Sequence, residues 1–205
     1  MSEHAQPTMP DTGRLPRTDQ SVVLSGISWR QYRDLVRSVG EAPALRMTYL
    51  DGTLEIMTTS PAHEMDKTLI ARLVEAFADE GEIPLIGCGS ATWKNKAKKA
   101  GLEADECYFH GDLKEVPDLA IEVVKTSGGV DKLAVYRRLG IPEIWFWVKG
   151  QFHVYCRGAR GYQKAARSKL LPELDLESMA ERIRATKAQD QPAAVRDFRA
   201  SLRRR

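Results

Sequence analysis

Acidic residues stand at Glu103, Asp105 and Glu106 within residues 102–109, and at Asp118 and Glu122 within residues 116–124. Both segments read as strands, where an ordinary buried strand would carry Val or Ile. A buried carboxylate is costly unless it is paired, hydrogen-bonded or bound to a metal. Strand alternation puts Glu103 and Asp105 on one face, and Asp118, Ala120, Glu122 and Val124 on one face of the next strand. Lying side by side, the strands would bring Asp105 and Glu122 within reach of a single ion. A hard cation such as Mg²⁺ takes one or two carboxylates, a carbonyl and several waters, and Asp105, Glu122 and the main-chain carbonyl of Val123 offer that set. Lys132, in the first turn of the following helix, adds an ammonium that would orient an attacking water and offset charge on a pentavalent phosphate, while the metal lowers the pKa of that water. The spacing is also compatible with strand-end salt bridges from these acids to Lys125, Lys132 or Arg137.

The elements that would position these groups can be followed along the chain. Residues 1–20 are rich in Pro, Thr and Asp without periodicity and read as a disordered tail. A helix follows from Ser28, its N-cap, with Trp29, Tyr32, Leu35, Val36 and Val39 on one face. Asp51-Gly52 marks a hairpin between strands at 46–50 and 53–57. Ser60-Pro61 opens a helix that Gly81 ends, with Met65, Leu69, Leu73 and Phe77 as its buried stripe and Glu64 favourable against the helix dipole. Residues 83–93 read as one strand, with 102–109 as its hairpin partner across a lysine-rich turn. After the 117–124 strand come a helix at 130–139 stopped by Gly140 and Pro142, a hairpin across Lys149-Gly150, and a short strand near 162–166. The rest is helical in pattern, with Val195, Phe198 and Leu202 on one side of a terminal helix. Trp93, Trp145 and Trp147, at strand positions, read as core aromatics, with base stacking as the alternative role and nothing specific behind it. The order predicts an α/β (α+β) chain built on a mixed central sheet flanked by helices, divided into a tail at 1–20, a domain at 21–185 and a basic C-terminal helix or tail at 186–205.

Bulk properties narrow the classes. At 205 residues, 42% hydrophobic and 29% charged, the chain has the size and composition of one globular domain with a real core. No apolar run approaches the roughly 20 residues of a membrane span, and the N-terminus lacks the apolar stretch of a secretory signal, so a cytoplasmic location is the default expectation. Cys88, Cys107 and Cys156 are odd in number and far apart, which argues against a disulfide framework or zinc ribbon; they read as small buried hydrophobes. The net charge of +3 is unevenly placed, with five arginines in residues 193–205 against Asp197 alone. Lys94, Lys96, Lys98 and Lys99 form a second basic cluster. Such clusters can follow a phosphate backbone; a solvated hairpin tip is the plainer reading of the lysines.

Several motifs occur in order: Glu103-Ala104-Asp105-Glu106-Cys107-Tyr108, Pro117-Asp118-Leu119-Ala120-Ile121-Glu122-Val123, Asp131-Lys132-Leu133-Ala134-Val135-Tyr136 and Leu139-Gly140-Ile141-Pro142-Glu143-Ile144-Trp145. With the Asp51-Gly52 hairpin and Ser60-Pro61-Ala62-His63, they resemble the Uma-two family of restriction endonucleases, within the PD-(D/E)XK nuclease superfamily, over roughly residues 22–180. The resemblance implies a restriction-endonuclease-like fold and Mg²⁺- or Mn²⁺-dependent cleavage of nucleic acid, with DNA the expected partner. It places Asp105 at the first metal-binding aspartate, Glu122 at the glutamate of the (D/E)XK element, and Lys132 at the lysine that this family carries on the following helix. Glu55 and His63 fall at an accessory acid and at a histidine near the first helix. On the residues alone, His63 reads as a bridge to a metal-bound water or phosphate, or as a structural hydrogen-bond partner.

Ala104 stands in place of the proline of the PD signature, and Val124 holds the (D/E)XK lysine position, so catalysis would depend on Lys132. These departures motivate an alternative, a nuclease-fold protein that binds nucleic acid without turnover. A third reading makes the terminal helix a dimerisation surface. Cutting of both strands would itself favour a homodimer.

Overall fold

The computed structural model describes residues 18–40, 45–126 and 129–204. Asp51 and Gly52 both take positive φ, 46° and 93°, the mirror-image turn that matches strand twist. They join β2 (Leu45–Leu50) to β3 (Thr53–Thr58). β1 (Gln20–Leu24) pairs with β3, and β6 (Ala100–Glu103) pairs with β2 and β5 (Thr92–Asn95), giving an antiparallel sheet ordered β1-β3-β2-β6-β5. One face carries α1 (Trp29–Val39), which Ser28 and Gln31 cap reciprocally and whose Tyr32 stacks on Tyr49.

The second sheet runs β11 (Gly161–Ala165), β10 (Gln151–Gly158), β9 (Glu143–Val148), β8 (Leu119–Val124), β7 (Glu106–His110) and β4 (Leu85–Gly87). Its pair β8–β9 is parallel and is connected through α3 (Lys132–Leu139). The expected α+β class is therefore what the chain builds, with its strands divided between two sheets. This corrects the reading of 83–93 and 102–109 as single strands. Each segment begins in one sheet and ends in the other, because alternation of side chains reports which face is buried and not which partner a strand bonds. The Ala104 N–H to the Ala91 carbonyl, 3.2 Å, ties the two crossings together.

One core lies between the larger sheet and α2 (Pro61–Glu80), α4 (Leu176–Ala185) and α5 (Gln191–Leu202), built on Leu73, Phe77, Trp145, Trp147 and Phe198. The expected stripe on α2 holds at Leu69, Leu73 and Phe77, but Met65 is 44% exposed; Met65 lies in the first turns of α2, short of where the core begins. Val195 and Leu202 pack on this same core, so the apolar face of the terminal helix is used within the chain rather than offered to a second copy. The opposite face of the larger sheet packs α3 and the smaller sheet through Leu102, Cys107, Tyr136 and Ile144. All three cysteines are free thiols, and no helix among the described residues is long and apolar enough to cross a membrane. Most of the tail expected at 1–20 lies outside the described residues, whereas Asp19 and Gln20 are placed.

Candidate active site

Asp105 sits where the chain passes from the smaller sheet to the larger, between the end of β6 and the start of β7. The β7–β8 ladder ends at Glu106–Ile121. Just beyond it, Asp105 Oδ2 accepts the main-chain N–H of Val123 at 2.8 Å. N–H and C=O of one strand residue point to the same edge, so the Val123 carbonyl faces this side as well. Asp105 and Glu122 are thus adjacent at the end of the ladder, with 1% and 0% of their surfaces exposed.

α3 supplies the partners of Glu122. Asp131 caps the helix by accepting from Ala134 N–H, which starts α3 at Lys132. Lys132 and Tyr136, four residues apart, then share one helix face. Lys132 Nζ lies 2.5 Å from Glu122 Oε2, and the Tyr136 hydroxyl donates to Glu122 Oε1. Burial disfavours the Lys132 charge, but Glu122 and Asp105 outweigh it and raise the pKa, so the side chain is an ammonium. Burial raises the Glu122 carboxyl against the pull of Lys132, with the Asp105 charge adding to the rise.

His63 is buried in the first turn of α2, where Pro61 and the Ser60 cap begin the helix. Its Nδ1 lies 2.8 Å from Asp19 Oδ2 and its Nε2 lies 3.1 Å from Asp105 Oδ1. Burial opposes protonation, but the two carboxylates outweigh it and raise the pKa. The Asp105 carboxyl is held low: burial is overcome by His63, Lys132 and the Val123 N–H. Arg46, buried on β2, brackets the group from the other side, 3.0 Å from Glu103 and 3.7 Å from Asp105. Asp19 also accepts Ser60 N–H at 2.8 Å, so one side chain anchors both the α2 N-terminus and His63. Asp19→Ala is therefore expected to cost about 1–3 kcal/mol of stability, read as a lower denaturation midpoint; an unchanged midpoint would show that the anchor contributes nothing.

Glu55 on β3 is 3% exposed; its Oε1 accepts Gly129 N–H at 3.0 Å, and its Oε2 has no hydrogen-bond partner among the described residues. It faces a cleft of about 390 Å³ between the two sheets, lined also by Arg46, Val123 and Lys132. Lys125, one residue past the Val124 of the strand, reaches the α2 side and pairs with Asp66 at 2.5 Å, as alternation requires. The structure thus brings together Asp105, Glu122, Val123, Lys132, His63 and Glu55. It does not bring Lys94, Lys96, Lys98 or Lys99 to the cleft: all four are exposed around the β5–β6 turn. Arg199 and Arg203 pair with Asp79 and Glu80 on α2. Asp19, Arg46 and Tyr136 are the site residues that sequence reasoning missed. Tyr136 had a readable signal in its four-residue spacing from Lys132, and Arg46 in its place on an alternating strand; Asp19 had none.

The donor set suits a hard divalent cation. The carboxylates of Asp105, between β6 and β7, and Glu122, on β8, with one carbonyl would leave the remaining positions to water, as Mg²⁺ or Mn²⁺ requires. The partnerless Glu55 oxygen would be satisfied by a cation or by water on it. Among the described residues no group of three or more His, Cys, Asp or Glu side chains is placed to hold a metal ion by itself, so an ion at Asp105 and Glu122 would also need the Val123 carbonyl and water.

No curated protein matches the chain. Residues 29–186, more than half of its length, match the Uma2 family, described as "Putative restriction endonuclease". That span holds Asp105, Glu122 and Lys132 in the arrangement described above, and the chain belongs to the Uma2 family, whose description gives it a nuclease role.

Proposed function

We propose that this protein is an endonuclease that hydrolyses DNA phosphodiester bonds with Mg²⁺ or Mn²⁺. The observation that carries the reading is the meeting of Asp105, Glu122 and Lys132 at the end of one ladder, although the lysine comes from a helix rather than the strand. Asp105, Glu122 and the Val123 carbonyl would hold the ion. When bound, it would lower the pKa of a water and offset charge gathering on the phosphate.

The protein's own groups do the rest. Val123 N–H and His63 fix the Asp105 carboxylate, while Tyr136 and Lys132 fix that of Glu122. Lys132 is an ammonium, so it donates: it orients the attacking water and offsets phosphate charge, and solvent takes the water's proton. As the water oxygen bonds to phosphorus, the ester bond opposite breaks and its oxygen leaves as an alcohol after gaining a proton. Arg46 sits at the same cleft as a fixed positive charge.

Supercoiled plasmid and single-stranded DNA incubated with Mg²⁺, Mn²⁺ or EDTA test this reading. Wild type is expected to cut with either metal and not with EDTA, and Glu122→Ala to leave the DNA intact while remaining folded. Folded wild-type protein that binds DNA in a salt-dependent way but never cuts it would favour the binding-only alternative.

A further inference from the structure

The same cleft is largely apolar on the side away from the carboxylates, a chamber whose wall is the open face of β9 and β10. Phe146 lies between Trp145 and Trp147; those two turn into the core, which leaves Phe146 on the cleft side. It meets Tyr155 edge-to-face, with ring centroids 5.8 Å apart, and stands opposite His153 in the strand register. Val124 and Leu133 line the same chamber. Phe146, Val124 and Leu133 offer a phosphate neither charge nor a hydrogen-bond donor, whereas His153 and Tyr155 each carry one polar edge. With the Phe146 and Tyr155 ring planes 81° apart, they make a half-buried aromatic corner.

We propose that this chamber holds one unpaired nucleobase of the strand being cut, seated in the aromatic corner of Phe146 and Tyr155 with one ring at its face and the other at its edge, so that the substrate is single-stranded or locally unpaired nucleic acid. The inference rests on the nuclease reading and deepens it. Three observations point to a base rather than to another apolar occupant. The chamber is continuous with the site, sharing Lys132, Val123 and Glu55 with it, so what fills it is joined to whatever phosphate lies at the carboxylates. The cleft as a whole measures about 390 Å³, at the small end of ligand pockets, which suits one nucleotide unit. The buried Glu55 Oε2 lacks a partner among the described residues and faces this space, where a base N–H, directly or through the cation or water already named, would satisfy it. Stacking is indifferent to base identity because every base has a π-face.

The test is fluorescence anisotropy in EDTA with the full chain. It compares a labelled oligothymidylate 12-mer, the same backbone with abasic sites, and a duplex of the same length. Wild type should bind the oligothymidylate about tenfold or more tighter than the abasic strand, and tighter than the duplex. Phe146→Leu and Tyr155→Leu keep apolar volume without the aromatic face; both should weaken the oligothymidylate toward the abasic value and leave abasic binding unchanged. Equal affinity for normal and abasic strands, binding to none of the probes, or a preference for the duplex overturns the proposal. So does a wild-type dimer that Phe146→Leu dissociates, since a second copy would then fill the chamber. Base preference without cleavage in any metal would sink the hydrolase and leave the pocket standing. Metal-dependent cleavage without base preference would do the reverse.

Discussion

Lys132→Met is expected to abolish cleavage and to destabilise the protein by about 3–5 kcal/mol, because it leaves a fully buried carboxylate without its cation. Tyr136 would remain as the donor to Glu122, but a hydroxyl does not neutralise charge. The double variant Glu122→Gln/Lys132→Met should recover most of that stability, since neutral groups replace both ends of the pair at similar volume. It should still be inactive. Denaturation midpoints and plasmid cleavage, measured side by side on the three variants, separate the two effects. Cleavage that survives Lys132→Met would remove the lysine from the mechanism. A double variant no more stable than Lys132→Met alone would show that the buried pair is not what the single substitution breaks.

The second large effect belongs to Asp105. Its carboxylate is the common partner of Val123 N–H, His63 and Arg46. Asp105→Ala would strand all three, at a cost of about 3–5 kcal/mol, or a fall in Tm on the order of 10 °C for a chain of this size. Asp105→Asn keeps the acceptor for Val123 and should lose less stability, yet bind Mn²⁺ far more weakly. The pH dependence carries a sign. A carboxyl held low stabilises the fold above its ordinary pKa of 3.8, and that contribution disappears as pH falls through the lowered value. A histidine held high stabilises below its ordinary 6.5, and the contribution disappears as pH rises through the raised value. The advantage of wild type over Asp105→Asn should therefore be greatest between 3.8 and 6.5 and shrink on both sides. A gap that does not vary with pH would mean that Asp105 and His63 do not act as a charged pair.

Much of this was readable before any coordinates. The Asp51-Gly52 turn, the Ser60-Pro61 helix start and the Asp105–Glu122–Lys132 set all rest on local rules: positive φ, capping and alternation. The division into two sheets was not readable, because hydrogen-bond partners are chosen by tertiary packing and leave no mark on the alternation of 102–109. Asp19 escaped for a related reason. A single acid at the end of a Pro- and Thr-rich stretch looks like tail, and its value comes from Ser60 and His63, more than forty positions away. Phe146 also escaped: its neighbours Trp145 and Trp147 read as core aromatics, Phe146 between them carried no assigned role, and only the strand's setting shows that it faces the cleft.

The two ties that close the site, Asp19 to His63 and Glu55 to Gly129, span 44 and 74 residues. Contacts this distant form late, because the loop must be closed before the bond repays it. During synthesis from the N-terminus, Asp19, Glu55, His63 and Asp105 all emerge before Glu122, Lys132 and Tyr136 exist. Until then the strand of Glu55 has both its partners, β1 and β2, but Asp105 has neither the Val123 N–H nor Lys132 beside it. On the proposed nuclease reading, a growing polypeptide of this protein would thus lack the cutting constellation, which would arrive only with the complete fold.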